Sequence, residues 1–400
     1  MSSKILSVQD SRSRRRRPDS RRQSQEPAEP EFRGLPNRTL VSLTIGFVCF
    51  GLMAVYSASA NEALVSFQDS TALLRKQTIA AIVGLFLMFT LSGQDYRKLR
   101  RYAWPMALVS FLLLALTLVP QLSVTAKGSS RWLALGPFQF QPSELCKVAS
   151  LVLMASGLSR FFWWHPQVIA RIGTSLVFAL IIVKQPDLGT ALMIMGALLS
   201  LLFVSGTNAM LIGSSLLGGA VIIWHHIQKT PYQMARIKSW LDPYSSPQND
   251  GWNIIQSQLA IGSGGLWGVG FGRSLQKLYY LPVQHADFIF AVIAEEFGLL
   301  GCGVLLSMFA LFGYHGYRTA MQAKSLFGRY LAIGITTSIC LQAVVNIMVT
   351  TGLLPVTGIT LPFISYGGSS LVITLSMVGI LLSISRDRGQ LSEEDEFEEA

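Results

Sequence analysis

Long apolar runs separated by short polar turns recur along almost the whole chain. They lie at Leu40–Ser57, Thr78–Leu91, Ala103–Val119, Leu145–Phe161, Ile169–Val183, Leu188–Val204, Met210–His226, Phe288–Phe312, Tyr330–Val349 and Leu361–Ser385. Most come near the ~20 residues that cross a hydrocarbon core. The pattern predicts an all-α, polytopic membrane protein with about ten transmembrane helices. SASA, after the first run, has the look of a signal-peptidase site, but the polar region before that run is too long for an ordinary signal peptide. The run is therefore read as a retained first helix. No internal repeat signals the inverted halves found in many transporters.

Polar stretches divide the chain further. Residues 1–37, with RSRRRRPDSRR, carry almost no apolar content and are expected to form a disordered basic cytoplasmic arm. Residues 38–386 form the membrane domain, interrupted by one large extracytoplasmic loop at about 227–287 before the eighth helix. SEEDEFEEA closes the chain as an acidic, solvated cytoplasmic tail over 387–400. Arg97, Lys98, Arg100, Arg101, Arg160, Arg171, Arg318, Lys324, Arg329, Arg386 and Arg388 all fall on the side of the basic arm. Both termini are thus expected in the cytoplasm.

Half of the residues are hydrophobic and 14% are charged, which excludes an ordinary soluble domain. The net charge of +10 suggests nucleic acid at first sight, but its confinement to the arm and short loops fits membrane topology instead. Membrane lipid, not nucleic acid, is the expected contact. The four cysteines lie in or beside apolar runs without metal or disulfide spacing, and the five histidines lack any ligand pattern. Only His285 is kept as a candidate, because it stands two residues before Asp287. GVGFG does not follow a strand and open a helix, so a dinucleotide site is rejected, and no Walker lysine motif occurs.

Five polar features remain. Asp287 stands at the mouth of the eighth apolar run, where a carboxylate is costly unless it is paired, hydrated or used. In GSSRWLALGPFQFQPSELCK, Glu144 and Lys147 are spaced to pair within one helix turn. Two readings stand there: a salt bridge alone, or Arg131 and Lys147 offering positive charge to an anionic lipid head group. KQPDLGTAL reads as a structural turn, its freed backbone groups served locally by Asp187 and Lys184. TGLLPVTGITLPFISYGGSS is too rich in Pro and Gly for one continuous helix; Ser365, Gly367 and Gly368 are placed in the wall of a substrate-binding cavity, with close helix packing as the competing explanation. Glu295 and Glu296 are read as internal helix–helix hydrogen-bonding groups.

RWLALGPFQFQPSEL, KQPDLGT, LQKLYYLPVQHADFIFAVIAEEFG and GLLPVTGITLPFISYGGSS, in this order and at these helix positions, resemble the SEDS family (shape, elongation, division and sporulation). The resemblance covers roughly Leu40 to Arg386. The basic arm, RSLQKLYYLP and TLPFISYGGSS are more similar to its division branch than to its elongation branch. It implies a peptidoglycan glycosyltransferase of the bacterial cytoplasmic membrane, at the septum, that polymerises lipid II on the outer face. It further implies Asp287 as the catalytic residue, and a class B penicillin-binding protein and other division proteins as partners.

The chemistry is compatible with that implication. Undecaprenyl diphosphate leaves as a stable anion, so one general base is enough when cations absorb the leaving charge. Asp287 would be that base, Arg131, Lys147 and Lys277 would hold diphosphate, and Glu144 would orient Lys147. A divalent cation, Mg or Mn, is chemically admissible beside the diphosphate, although no metal-ligand spacing occurs. The rival readings are a lipid II flippase and the elongation polymerase of the same family.

Overall fold

The computed structural model of the chain describes residues 34–119, 123–126, 129–135, 138–248, 251–276 and 285–387. It begins with helices α1 (Arg38–Phe67), α2 (Ala72–Ser92), α3 (Lys98–Arg101) and α4 (Ala103–Leu116), followed by strands β1 (Ser123–Ala126), β2 (Ser129–Leu135) and β3 (Phe138–Phe140). Next come α5 (Pro142–Leu158), α6 (Pro166–Lys184), α7 (Leu188–Val204), α8 (Ala209–Lys229), α9 (Pro231–Leu241) and α10 (Trp252–Gly264). The last three are α11 (Ile289–Met321), α12 (Leu326–Thr350) and α13 (Gly368–Arg386). Each predicted apolar run overlaps a helix. Among the described residues, seven helices are long and apolar enough to cross a membrane: α1, α2, α6, α8, α11, α12 and α13.

Local chemistry sets where several helices begin. The side chains of Asn37, Asp187 and Ser325 accept from the N–H groups of Thr39, Thr190 and Gly328, capping α1, α7 and α12. Pro142 and Pro166 open α5 and α6, where a missing N–H costs nothing.

Several elements depart from the sequence expectation. A three-stranded antiparallel sheet in the order β1-β2-β3 occupies what hydropathy read as loop, so the fold is mostly helical and not wholly so. Leu133 pairs with Ser123 on one side and Phe140 on the other. β1 and β3 are short, and SSRWLAL of β2 does not alternate polar with apolar residues, so no strand period emerges. The region 227–287 likewise contains α9, a short 3-10 turn at Pro243–Ser245 and α10. α1 runs well past Ser57; its 30 residues span ~45 Å, more than a hydrocarbon core requires. Glu62 is carried on that extension.

The final helix begins at Gly368, not at Leu361. Pro362 and Gly367 interrupt the helical pattern, and Phe363 takes a φ of 67°, a left-handed conformation costly for a bulky residue. Its ring is held by stacking on Phe47 at 5.3 Å and by an edge contact with Phe312 at 5.8 Å. Residues 351–367 therefore run as irregular backbone between α12 and α13.

α11 also breaks, at Gly298, where φ is 64°. A break in an apolar helix leaves carbonyls and amides without partners. Here the glycine-rich segment after α10 supplies them. Val269 and Gly270 N–H donate to the carbonyls of Glu295 (3.0 Å) and Glu296 (3.1 Å), while Leu299 and Leu300 N–H donate to those of Gly265 (2.9 Å) and Leu266 (3.2 Å). The approach requires glycine: a Cβ at Gly268 would lie 2.1 Å from the Glu296 carbonyl oxygen, and one at Gly298 2.4 Å from the Gly268 nitrogen. GSGGLWGVGFG is a backbone splint.

At the other end of the helices, Asp387 gathers three groups. It accepts from the Tyr96 hydroxyl (2.9 Å) and Arg97 Nη2 (2.6 Å), and Lys324 Nζ lies 3.7 Å away. Burial pushes the Tyr96 phenol up to about 12.

Candidate active site

The segment leading into α11 is held carbonyl by carbonyl. Tyr366 N–H donates to His285 O (2.9 Å), Ser365 Oγ to Ala286 O (2.6 Å) and Asn346 Nδ2 to Asp287 O (2.9 Å). The next residue, Phe288, is buried on Ala260 and Ala291. The carboxylate of Asp287 is therefore presented by a backbone with little freedom to move. It faces Gly358, whose φ is 77° and where a Cβ would stand 3.8 Å from Asp287 Oδ2. His285 Nδ1 lies 3.0 Å from Glu62 Oε2 on the α1 extension, joining the same segment to a third helix.

The irregular 351–367 stretch is itself positioned by side chains from three helices, and a fourth holds the end of α12 just before it. On α12, Gln342 Nε2 donates to Thr360 O (3.0 Å) and, one turn on, Asn346 Nδ2 donates to Ile359 O (2.7 Å) as well as to Asp287 O. From α2, the Gln77 amide donates to Ser365 O (3.0 Å) and accepts from Gly367 N–H (3.2 Å). On α9, Arg236 Nη1 reaches Val356 O and Trp240 Nε1 reaches Gly352 O, both at 2.9 Å. α10 adds Ser257 Oγ, which donates to Thr350 O at the end of α12 (2.6 Å). Buried carbonyls left without donors would cost ~1–3 kcal/mol each, so these contacts permit irregular backbone here.

Glu144 and Lys147 do pair, at 2.8 Å, and both are buried. Lys147 Nζ also donates to Gln342 Oε1 (2.9 Å). A polar path thus runs from Glu144 through Lys147 and Gln342 to Thr360, and Asn346 extends it along α12 to Asp287.

Arg131 turns toward the α6–α7 junction, donating through Nε to Gln185 O (2.9 Å) and through Nη2 to Pro186 O, with Nη1 3.9 Å from Asp187 Oδ1. Asp187 accepts from Thr190 N–H, Thr190 Oγ and Gln141 Nε2. Structural support of the KQPDLGT turn therefore comes from Arg131 and Asp187; Lys184 is exposed. The turn belongs to the same neighbourhood, because α7 packs at Gly189 against Ile359, where a Cβ would meet Ile359 Cγ1 at 2.7 Å. Ser369, in the first turn of α13, donates to Gln139 O (2.9 Å) and ties the sheet to this cluster.

The sequence-named residues thus converge on 351–369, but in different roles. Ser365 both accepts from Leu361 N–H (2.8 Å) and donates to Ala286 O, so its hydroxyl braces the Asp287 segment from within the protein. Gly367 meets Gln77, and Gly368 opens α13. Lys277 lies outside the described residues, as do most of the basic arm and the acidic tail. Glu296 accepts from Ser57 Oγ on α1 (2.6 Å), a helix–helix contact as expected. Glu295 instead takes Ser274 Oγ and Leu275 N–H, just after the splint. Gln342, Asn346, Gln77 and Glu62 were not anticipated. Two amides one turn apart inside the apolar run Tyr330–Val349 were the available signal, since polar side chains in such runs seek partners.

Among the described residues no three His, Cys, Asp or Glu side chains gather so as to hold a metal ion. The carbonyls of His285, Ala286 and Asp287 already accept hydrogen bonds and His285 faces Glu62, so beside Asp287 there is little of the oxygen shell that magnesium or manganese takes. The chemistry open to the cluster is proton abstraction by a positioned, half-buried carboxylate.

Residues 38–390 match the model of the cell cycle protein family FtsW/RodA/SpoVE. The chain is 41% identical over 354 residues to the probable peptidoglycan glycosyltransferase FtsW of Geobacter metallireducens, covering 86% of this chain and 93% of that protein. It is 39% identical to the stage V sporulation protein E of Bacillus subtilis, over 88% and 97% of the two chains. Among solved structures, a chain of a peptidoglycan synthase complex that coordinates polymerization and crosslinking superposes with a TM-score of 0.75 at 33% identity, covering 89% of this chain and 99% of that one. The rod shape determining protein RodA of Thermus thermophilus gives 0.66 at 31%, covering 89% and 98%.

Proposed function

Since the chain belongs to the FtsW/RodA/SpoVE family, we propose that it is a peptidoglycan glycosyltransferase whose general base is Asp287. The observation that carries the residue assignment is the hold on His285, Ala286 and Asp287, three successive carbonyls fixed by Tyr366, Ser365 and Asn346. A base must be within reach of the proton it takes, and this frame gives Asp287 a fixed position from which to do so.

In the proposed reaction, the sugar 4-hydroxyl of an acceptor lipid II attacks the anomeric carbon of a donor. Asp287 takes the hydroxyl proton as the new C–O bond forms. The bond from the donor sugar to diphosphate breaks, its electron pair leaves with undecaprenyl diphosphate, and the anomeric centre inverts. One carboxylate is enough because the leaving group needs no proton, unlike the alcohol released from an ordinary glycoside. Arg131 and Lys147 contribute positive potential, with Lys147 acting through Gln342 on Thr360, and Lys277 is a direct diphosphate contact. A magnesium or manganese ion, if used, would arrive with the diphosphate and offset its charge.

The protein is a multi-pass membrane protein. Finer placement belongs to the same proposal: about ten helices cross the bilayer, both termini face the cytoplasm, and the Asp287 end lies outside. The relatives named FtsW favour the division branch, at the septum, among other division proteins. Glycan strands need cross-linking, and the synthase complex among the structural neighbours supports a class B penicillin-binding protein as partner.

The test is polymerisation of fluorescent lipid II by the purified protein, with and without a partner whose transpeptidase site is dead. Wild type should make long strands and Asp287→Asn none. Full activity in Asp287→Asn would sink the assignment. Lipid II movement across vesicles that ignores the substitution, with no strands under any condition, would favour a flippase.

A further inference from the structure

Between α1 and the splint lies an open groove of about 410 Å³ that the reaction above leaves unused. Its lining includes Tyr56, Asn61, Phe271, Arg273 and Leu275. The hydroxyls of Ser57 and Ser274, also in its wall, are turned onto Glu296 and Glu295. The polar groups left to face an occupant are the side chains of Asn61 and Arg273 and the hydroxyl of Tyr56. Arg273 is exposed and takes part in no ion pair among the described residues. Its surroundings are apolar: Tyr56, Phe271 and Leu275 are 40%, 49% and 67% exposed, and Trp267 on the same segment is 80% exposed. The backbone of Gly265–Gly270 is occupied by the α11 break, which fixes this segment against the helix. The groove is amphiphilic by construction, with a guanidinium and an amide at one place and aromatic walls beside them. It also adjoins the reacting segment, because Asn61 precedes Glu62, which contacts His285 at 3.0 Å.

We propose that this groove binds the diphosphate and first isoprene units of a polyprenyl-diphosphate-linked substrate. Arg273 grips the phosphates in a forked, charge-assisted contact, Asn61 donates to them, and the chain lies along Phe271, Tyr56 and Leu275. A soluble anion would not need those walls, and an ordinary apolar chain would not need Arg273. The assignment rests on the polymerase reading for the identity of the lipid, and its test uses binding as well as turnover.

The purified full chain is titrated with undecaprenyl diphosphate by native mass spectrometry, with phosphatidylglycerol and inorganic pyrophosphate as competitors. Arg273→Gln should weaken binding by about tenfold or more, in the range of one lost charge-assisted contact, and Arg273→Lys should recover part of it. Pyrophosphate should compete weakly and phosphatidylglycerol hardly at all. In strand synthesis, Arg273→Gln should raise KM for lipid II while largely sparing kcat, which a folding defect would not do. Equal binding by wild type and Arg273→Gln would overturn the proposal, as would displacement by phosphatidylglycerol at equal concentration. Binding that depends on Arg273 in a protein that makes no glycan would instead remove the polymerase reading and leave the groove standing.

Discussion

Two interruptions of apolar structure lie close to Asp287, and they are repaired in opposite ways. At Gly298 the break in α11 is satisfied by main chain alone, the carbonyls and amides of residues 265–270 standing in for the missing helical partners. At 351–367 the irregular backbone is satisfied largely by side chains: Asn346, Gln342, Gln77, Arg236 and Trp240. A main-chain repair is blind to side-chain identity but excludes any Cβ at the contact. A side-chain repair depends on each amide and can place functional atoms, and the Asp287 segment is held by this second kind. The first interruption builds shape and the second builds chemistry.

Substitutions should separate the two, beginning with the largest effect. Asp287→Asn should lower strand synthesis by about 10²- to 10⁴-fold, the usual contribution of a general base, with unchanged thermal unfolding. Asn346→Leu removes the donor shared by Asp287 O and Ile359 O and leaves two buried carbonyls unserved, at about 2–5 kcal/mol. Its specific activity per folded molecule should fall as well, and an unchanged value would mean that Asn346 only supports the fold. Gly298→Ala should cost about 2–4 kcal/mol through left-handed strain and the clash with Gly268, read as a lower unfolding temperature. Most of its loss should lie in stability, with the folded fraction retaining turnover. The smallest effect belongs to a control far from both interruptions. Tyr96 has its phenol raised to about 12, so the stability it contributes is complete below the ordinary tyrosine value of about 10 and is lost as pH rises from there toward 12. Tyr96→Phe should remove that alkaline decline in unfolding temperature without altering polymerisation at neutral pH.

Hydropathy located the helices because each apolar run must bury its own backbone hydrogen bonds, a requirement visible locally. It also located Asp287, since a carboxylate at the mouth of an apolar run is conspicuous. Pro355, Gly358, Pro362 and Gly367 marked 351–367 as irregular, and Glu144 and Lys147 paired as their spacing suggested. The sheet was not legible, because two of its strands have only three or four residues and SSRWLAL does not alternate polar with apolar residues. Nor was the purpose of GSGGLWGVGFG, whose glycines answer to the carbonyls of Glu295 and Glu296 and not to anything within the segment. Gln77, just ahead of one apolar run, and Asn346, inside another, are explained only by their distant partners. Arg131 looked like an anion site, yet its acceptors are the carbonyls of a turn brought beside it by folding.

The two repairs also differ in when they can be made. The splint and the α11 break are near neighbours along the chain, so that junction can close as soon as α11 has left the ribosome. Asp287's frame has to wait. Ser365 reaches back 79 residues to Ala286, and Gln77 waits 288 residues for the carbonyl of Ser365. Ser369 completes the enclosure only after 230 residues separate it from Gln139. A chain still being inserted thus carries Asp287 for some time without the scaffold that fixes it, and that frame is the last part of the fold to be assembled.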